Sequence, residues 1–146
     1  MTSVTKSIDV HVPIRAAYNQ WTRFEEFPRF MEGVRKVKQL DNRRLRWLAE
    51  VAGNNQEWYG VITTQILDQR LAWASTTGAR NDGAVTFQPL GPDTTRVILQ
   101  LDYEPEGVSE AAGDKLGFVS QRVAGDLARF KAFIEARGRY AMWFRL

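Results

Sequence analysis

The feature that most restricts the fold is a change of hydrophobic period near residue 109. Beyond it, Leu116, Val119, Val123, Leu127, Phe130 and Ile134 recur in steps of three and four residues. That spacing predicts one amphipathic helix from Ser109 to about Arg137, roughly 40 Å long at about 1.5 Å per residue. Ser109 is suited to cap its start, with Glu110 near the positive end, and Gly138 to stop it. Gly113, Gly117 and Gly125 inside it each weaken a helix by up to about 1 kcal/mol relative to alanine. Upstream the chain reads mainly in strands with hairpin-length connections, which implies an antiparallel sheet with one face covered by this helix.

The first strand is predicted at 7-SIDVHV-12, where Ile8, Val10 and Val12 share one face and Asp9 and His11 the other. Pro13 ends it and suits the first turn of a helix over residues 14–24, with Ile14, Ala17, Tyr18 and Trp21 on one side. Pro28 forbids a single long helix through 18-YNQWTRFEEFPRFMEGV-34, because it lacks an amide donor and disfavours helix at the preceding residue. A second short helix is therefore expected at 27–32, stopped by Gly33. Six strands follow, at 34–41, 43–52, 56–68, 70–77, 84–89 and 95–103. Tight turns separate them, including Asp41-Asn42 and the loop 78-GARNDG-83. The predicted class is α+β: about seven antiparallel strands, two short helices after the first strand, and a long C-terminal helix.

Composition removes several kinds of chemistry. The 146 residues contain no cysteine and one histidine, His11. Thiol nucleophiles, disulfides, cysteine-ligated zinc and iron–sulfur clusters are excluded, and His-rich metal sites and Ser-His triads are disfavoured. No cofactor or metal is called for, and no nucleotide-binding glycine loop is present. The absence of cysteine and of an apolar leader suits a cytoplasmic location, and no apolar run reaches the roughly 20 residues of a membrane span. The net charge is +3, with a basic cluster at Arg35, Lys36, Lys38, Arg43, Arg44 and Arg46 opposed locally by Asp41. It reads first as the solvated face of a hairpin. RNA or ribosome contact is the alternative use, and DNA binding is not expected.

Several stretches together carry a family resemblance: 17-AYNQWTRFEEFPRFMEGVRKV-37, Trp47, Trp58, 70-RLAWAS-75, 83-GAVTF-87, 94-TTRVILQLDYEPEG-107 and 126-DLARFKAFIEARG-138. The chain resembles the START-related, Bet v 1-like (SRPBCC) superfamily, in its bacterial polyketide cyclase/dehydrase and lipid-transport branch. The resemblance implies a helix-grip domain over residues 1–146, with a core at about 4–138 and a tail at 139–146. It also implies an apolar cavity between the concave sheet face and the long helix. The expected ligand is a hydrophobic small molecule, lipid-, quinone- or polyketide-like. The alternatives are an aromatase/cyclase acting on a poly-β-ketone and a quinone-chaperone-like or ribosome-associated interaction protein. A monomer or homodimer is expected.

Strand alternation puts Trp47, Trp58, Ile62, Trp73, Val85, Phe87, Leu99, Leu101 and Tyr103 on the concave face. Leu116, Val119 and Val123 face them from the helix. The three tryptophans of that face either fill a core or line a cavity, and residue type alone leaves both open. Thr64, Ser75, Tyr103 and, near the helix face, Ser120 are the polar candidates; Tyr103 is the one weak catalytic candidate, as a hydrogen-bond donor or general acid. Trp21, Phe27, Phe30 and Met31 are expected to form the end wall, with Phe27 and Phe30 as a gate beside Pro28. Glu50 and His11 are expected to point away from the interior.

Overall fold

The computed structural model describes residues 2–51, 54–77, 81–103 and 112–143. Strand β1 (Thr2–Val10) leads into helix α1 (Ile14–Trp21) and a 3-10 turn (Phe24–Arg29). Strands β2 (Val34–Gln39), β3 (Arg44–Val51), β4 (Asn54–Ile66), β5 (Arg70–Ser75), β6 (Asn81–Gly91) and β7 (Thr94–Tyr103) follow, and helix α2 (Ala112–Trp143) closes the order. The seven strands form one antiparallel sheet in the order β1-β7-β6-β5-β4-β3-β2. The sheet's apolar face and the apolar stripe of α2 meet in a single buried cluster. Val37, Leu45, Trp47, Ile62, Leu71, Trp73, Val85, Val97 and Leu99 come from the sheet, and Val123, Leu127, Phe130 and Ile134 from the helix. The predicted α+β class and strand count are those observed.

Element limits move for physical reasons. β1 starts at Thr2 rather than Ser7, because its edge amides pair with β7 along the full length, from Thr2 opposite Tyr103 to Val10 opposite Thr95. The first helix ends at Trp21, three residues earlier than expected, and Thr22 closes it by donating its hydroxyl to the Asn19 carbonyl at 2.8 Å. The second is a 3-10 turn displaced to Phe24–Arg29, with Pro28 inside it. A 3-10 turn tolerates Pro28 where a longer α-helix would lose a bond. Gly33 does not stop this segment, which ends at Arg29 with Phe30 as its cap; Gly33, with φ +85°, a left-handed conformation that a side chain strains, lies instead in the turn that leads into β2. Asn81, Asp82 and Gly83, expected in a loop, extend β6 by pairing with Tyr103, Asp102 and Leu101.

Gly138 does not stop α2, which runs on to Trp143 and takes in the first part of the expected tail. A Cβ at Gly138 would sit 3.6 Å from the Val12 side chain, so this glycine lies where the helix passes close to the end of β1. The expected Ser109 cap lies outside the described residues. No helix among the described residues is long and apolar enough to cross a membrane.

Polar contacts fasten α2 at three places, one of them the end of β1, where Lys131 donates to the Asp9 carbonyl at 2.7 Å and the His11 amide donates to Glu135 at 2.8 Å. Arg122 donates to the Glu32 carbonyl at 2.5 Å, the Glu32 amide donates to Asp126 Oδ1 at 3.0 Å, and Arg129 Nε donates to the Phe30 carbonyl at 3.1 Å. These three helix residues share one side at spacings of four and three, so they grip the chain just after the 3-10 turn. Near the other end Arg137 donates to Gln20 Oε1 at 2.7 Å and Glu26 Oε1 at 3.1 Å. Gln20 is buried, so this pairing satisfies an amide that would otherwise be costly inside.

Candidate functional site

The sheet floor beneath α2 is built by strand alternation. Trp47 on β3 stands opposite Trp58 on β4, and Ile62 on β4 stands opposite Trp73 on β5. Leu71 faces Val85, Val85 faces Leu99, and Gly83 faces Leu101. The indoles of Trp47 and Trp58 are stacked, with centroids 5.9 Å apart and planes at 4°; Trp73 lies 6.0 Å from Trp47. All the expected apolar sheet residues with described side chains therefore share this face, and Phe87 joins it through an edge contact with Tyr18 at 5.6 Å.

Two glycines shape the floor. A Cβ at Gly83 would come within 2.8 Å of Trp73 Nε1, and closer still to its ring carbons, so only glycine lets that indole lie flat on β6. A Cβ at Gly60 would stand 3.0 Å from the Ala74 carbonyl oxygen and 3.7 Å from Trp47 Nε1. Gly60 itself is flanked across the strands by Leu45 and Ser75. The alternation of β4 points to Gly60 as a floor position, but residue type alone does not show that both glycines adjoin indole nitrogens.

The end wall is packed more tightly than a gate requires. The Phe30 ring lies 5.3 Å from Trp21, 5.7 Å from Phe27, 5.2 Å from Phe130 and 5.9 Å from Phe133. Such a ring, held from α1, the 3-10 turn and α2 at once, is a core plug. Phe27 differs, because it also reaches the floor, 5.6 Å from Trp47 and 6.2 Å from Trp73. Met31 is buried beside them.

Two buried donors stand out. The indole nitrogens of Trp21 and Trp47 have no hydrogen-bond partner among the described residues. Leaving such a group unpaired costs about 1–3 kcal/mol, so its retention asks for a reason. Trp21 is ringed by Phe27, Phe30 and Phe130, whose faces offer weak acceptance. Trp47 likewise lies among the rings of Phe27, Trp58 and Trp73, with Gly60 near its nitrogen.

The polar candidates divide. Ser75 sits on the floor face opposite Gly60, and its hydroxyl accepts from the Asn81 amide at 2.9 Å. Thr64 does not belong there: the register shifts between Ile62 and Thr64, so Thr64 stands opposite Ala72 and changes face. The irregularity inserts Thr63 and inverts the alternation beyond it, which a parity count through an unbroken strand misses. Ser120 is half-buried on α2, and Val123 is buried. The side chains of Tyr103, Leu116 and Val119 lie outside the described residues. Glu50 and His11 lie off the interior, Glu50 paired with Arg35 and His11 exposed beyond the end of β1. The described residues contain no cluster of acidic or histidine side chains suited to a metal.

The basic hairpin is more neutralised than its sequence suggests. Besides the Arg44–Asp41 contact at 2.6 Å, Arg46 pairs with Glu57 at 3.0 Å and Arg35 with Glu50. These acids come from β3 and β4, remote in sequence from β2. Glu57 and Arg46 hold each other charged: the Arg46 guanidinium lowers the Glu57 carboxyl, and the Glu57 carboxylate raises Arg46.

Comparison with known proteins matches these features to a family. Residues 10–132 match the family described as polyketide cyclase / dehydrase and lipid transport. An uncharacterized 17.2 kDa protein of Streptomyces lincolnensis is 49% identical over 140 residues, covering 95% of this chain and 93% of that one. A crystal structure from Deinococcus radiodurans has a TM-score of 0.75 at 29% identity, over 93% of this chain and 98% of that one. The fold is also shared with the Zhui aromatase/cyclase of a Streptomyces species, with a TM-score of 0.82 at 17% identity over 96% and 97% of the two chains.

Proposed function

The chain belongs to the polyketide cyclase/dehydrase and lipid transport family, and from that premise we propose that it binds a hydrophobic small molecule between the concave sheet face and α2. The observation that carries this reading is the cluster on the sheet face that meets α2: Trp47 stacked on Trp58, Trp73 tilted beside Trp47, and Gly83 making room for the Trp73 indole. Flat aromatic surface with a few polar groups is the usual composition of a small-molecule site. Polyketide-, quinone- and lipid-like ligands all fit that description. Ile62, Val85, Leu99, Leu101 and Phe87 extend the apolar floor, Val123 supplies roof from α2, and Phe27 with Trp21 and Met31 the end.

Binding is the first reading and cyclisation the second. The described groups over the floor are indole N–H and hydroxyl donors, which orient a carbonyl ligand. An aldol cyclisation needs the same orientation and, beyond it, stabilisation of an enolate, for which Tyr103 is the candidate donor. Native mass spectrometry of the purified chain tests the binding reading. A co-purifying or added apolar ligand retained at one per chain supports it; a chain that retains none contradicts it. Turnover of a poly-β-ketone that falls in Tyr103→Phe while binding persists would establish the enzymatic reading.

A further inference from the structure

The sheet face turned away from α2 carries a charge that the proposed ligand site leaves unused. Val37, Leu45 and Trp47 point into the core, so alternation puts Lys36, Lys38, Arg44 and Arg46 on the outer side. Arg35 and Arg43 join them from the start of β2 and from the β2–β3 turn. Three carboxylates answer these six cations: Glu50 pairs with Arg35, Asp41 with Arg44 and Glu57 with Arg46. Lys36, Lys38 and Arg43 are exposed and have no ion pair among the described residues. The excess of three equals the net charge of the whole chain, +3, so the rest of the chain is neutral on balance.

An aromatic ring stands among these charges. Lys38 is opposite Arg46, and Arg46 is opposite Tyr59, which is 40% exposed. Adjacent strands lie about 4.8 Å apart, so the three side chains form one row across β2, β3 and β4. Arg46 and, after it, the Tyr59 hydroxyl hold the Glu57 carboxyl below its usual range, which ties ring and guanidinium to one carboxylate. Val61, next along this face of β4, lines an open hollow with Asp41, Asn42, Arg43 and Arg44. Cations for phosphates and an exposed ring for a base are the two parts of a single-strand site. A lipid surface fits less well: in β2, β3 and their turn, Leu40 is the one exposed large aliphatic among the described residues, so little is offered for insertion.

We propose that the outer face of β2–β4 binds single-stranded nucleic acid: Lys36, Lys38 and Arg43 contact phosphates, and Tyr59 stacks on a base. This surface lies on the other side of the sheet from α2, so the inference stands or falls independently of the ligand site.

The test is fluorescence anisotropy of a labelled oligouridylate of about ten nucleotides, titrated with the full chain over a series of salt concentrations. Three phosphate contacts predict saturable binding whose log affinity falls with log salt at a slope of about −2. Lys36→Gln together with Lys38→Gln should bring that slope to about −0.7. Tyr59→Ala should weaken binding roughly tenfold, whereas Tyr59→Phe, which keeps the ring, should bind as the unaltered chain does. Lys6→Gln, on the far edge strand β1, should change nothing. No saturable binding at low salt, a slope untouched by the two lysine changes, or a Tyr59→Ala affinity equal to that of the unaltered chain overturns the proposal. Equal affinity for duplex RNA of the same length also overturns it, because a duplex offers no unstacked base. If vesicles containing phosphatidylserine bind through the same lysines and oligouridylate does not, the surface serves a membrane and the proposal fails. Should a variant fail to fold, acetylation of the unaltered chain decides: bound oligouridylate should protect Lys36 and Lys38, and equal labelling with and without it contradicts the proposal.

Discussion

At the scale of single residues, two side chains give sharp expectations. Phe30 contacts rings from three helical elements and is 1% exposed. Phe30→Ala should cost about 3–5 kcal/mol, the range for deleting a buried phenyl, measured by urea denaturation. A loss below about 1 kcal/mol, with changed ligand preference, would restore the gate role that its sequence position suggested. Asp41 is held down at about 2 by the Arg43 amide first, then by the Arg44 side chain and amide. Its folded value lies below the ordinary 3.8, so its contribution to stability is complete above the unfolded value. That contribution is lost as pH falls through about 2. Carbon-detected titration should find this midpoint in the native hairpin, and Asp41→Asn should remove that part of the acid sensitivity. A midpoint near 3.8 would mean that the turn contacts do not form in solution. Both features were half legible: Asp41 announces a turn, but nothing local shows that Phe30 faces Phe133 from a helix about 100 residues away.

At the scale of elements, the link that matters joins α2 to the segment after the 3-10 turn. Arg122, Asp126 and Arg129 hold the Phe30 and Glu32 carbonyls and the Glu32 amide. Asp126→Ala should therefore speed hydrogen exchange of the Glu32 amide by roughly tenfold, with little change in the central strands. Unchanged exchange at Glu32 would show that the clamp contributes nothing to order there. Burial raises the Asp126 carboxyl above its ordinary 3.8, against the lowering by Arg129, the Glu32 amide and Arg122. The sign is opposite to that of Asp41: the folded chain binds this proton more tightly than the unfolded one. Stability from this group therefore declines as pH rises from about 3.8 to its raised folded value, and Asp126→Asn should flatten that decline. Element type was well marked in the sequence, because period and turn chemistry are local signals. Element limits were not. The edge pairing of β1, the passage of α2 beyond Gly138 and the irregularity at Thr63 depend on partners that are distant along the chain. That irregularity alone displaced Thr64 from the expected site.

At the scale of the whole molecule, one sheet and one helix leave a single large apolar contact surface, and function depends on how much of it the protein fills itself. The end toward Phe30 and Phe130 is filled by its own rings. Toward Trp47, Trp58 and Trp73 the sheet face carries an unpaired indole donor, and Gly83 makes room for the Trp73 ring. The fold and the floor residues followed from alternation and periodicity, while the ring packing that plugs the end at Phe30 required three-dimensional contacts. The basic hairpin shows the same limit: its partners Glu50 and Glu57 are brought to it by strand pairing. The most direct check of the account is a titration of the intrinsic tryptophan fluorescence with 1,4-naphthoquinone. Saturable quenching at one quinone per chain is the predicted result; quenching that rises linearly without saturation, as in random collision with exposed indoles, would contradict a binding site beneath α2.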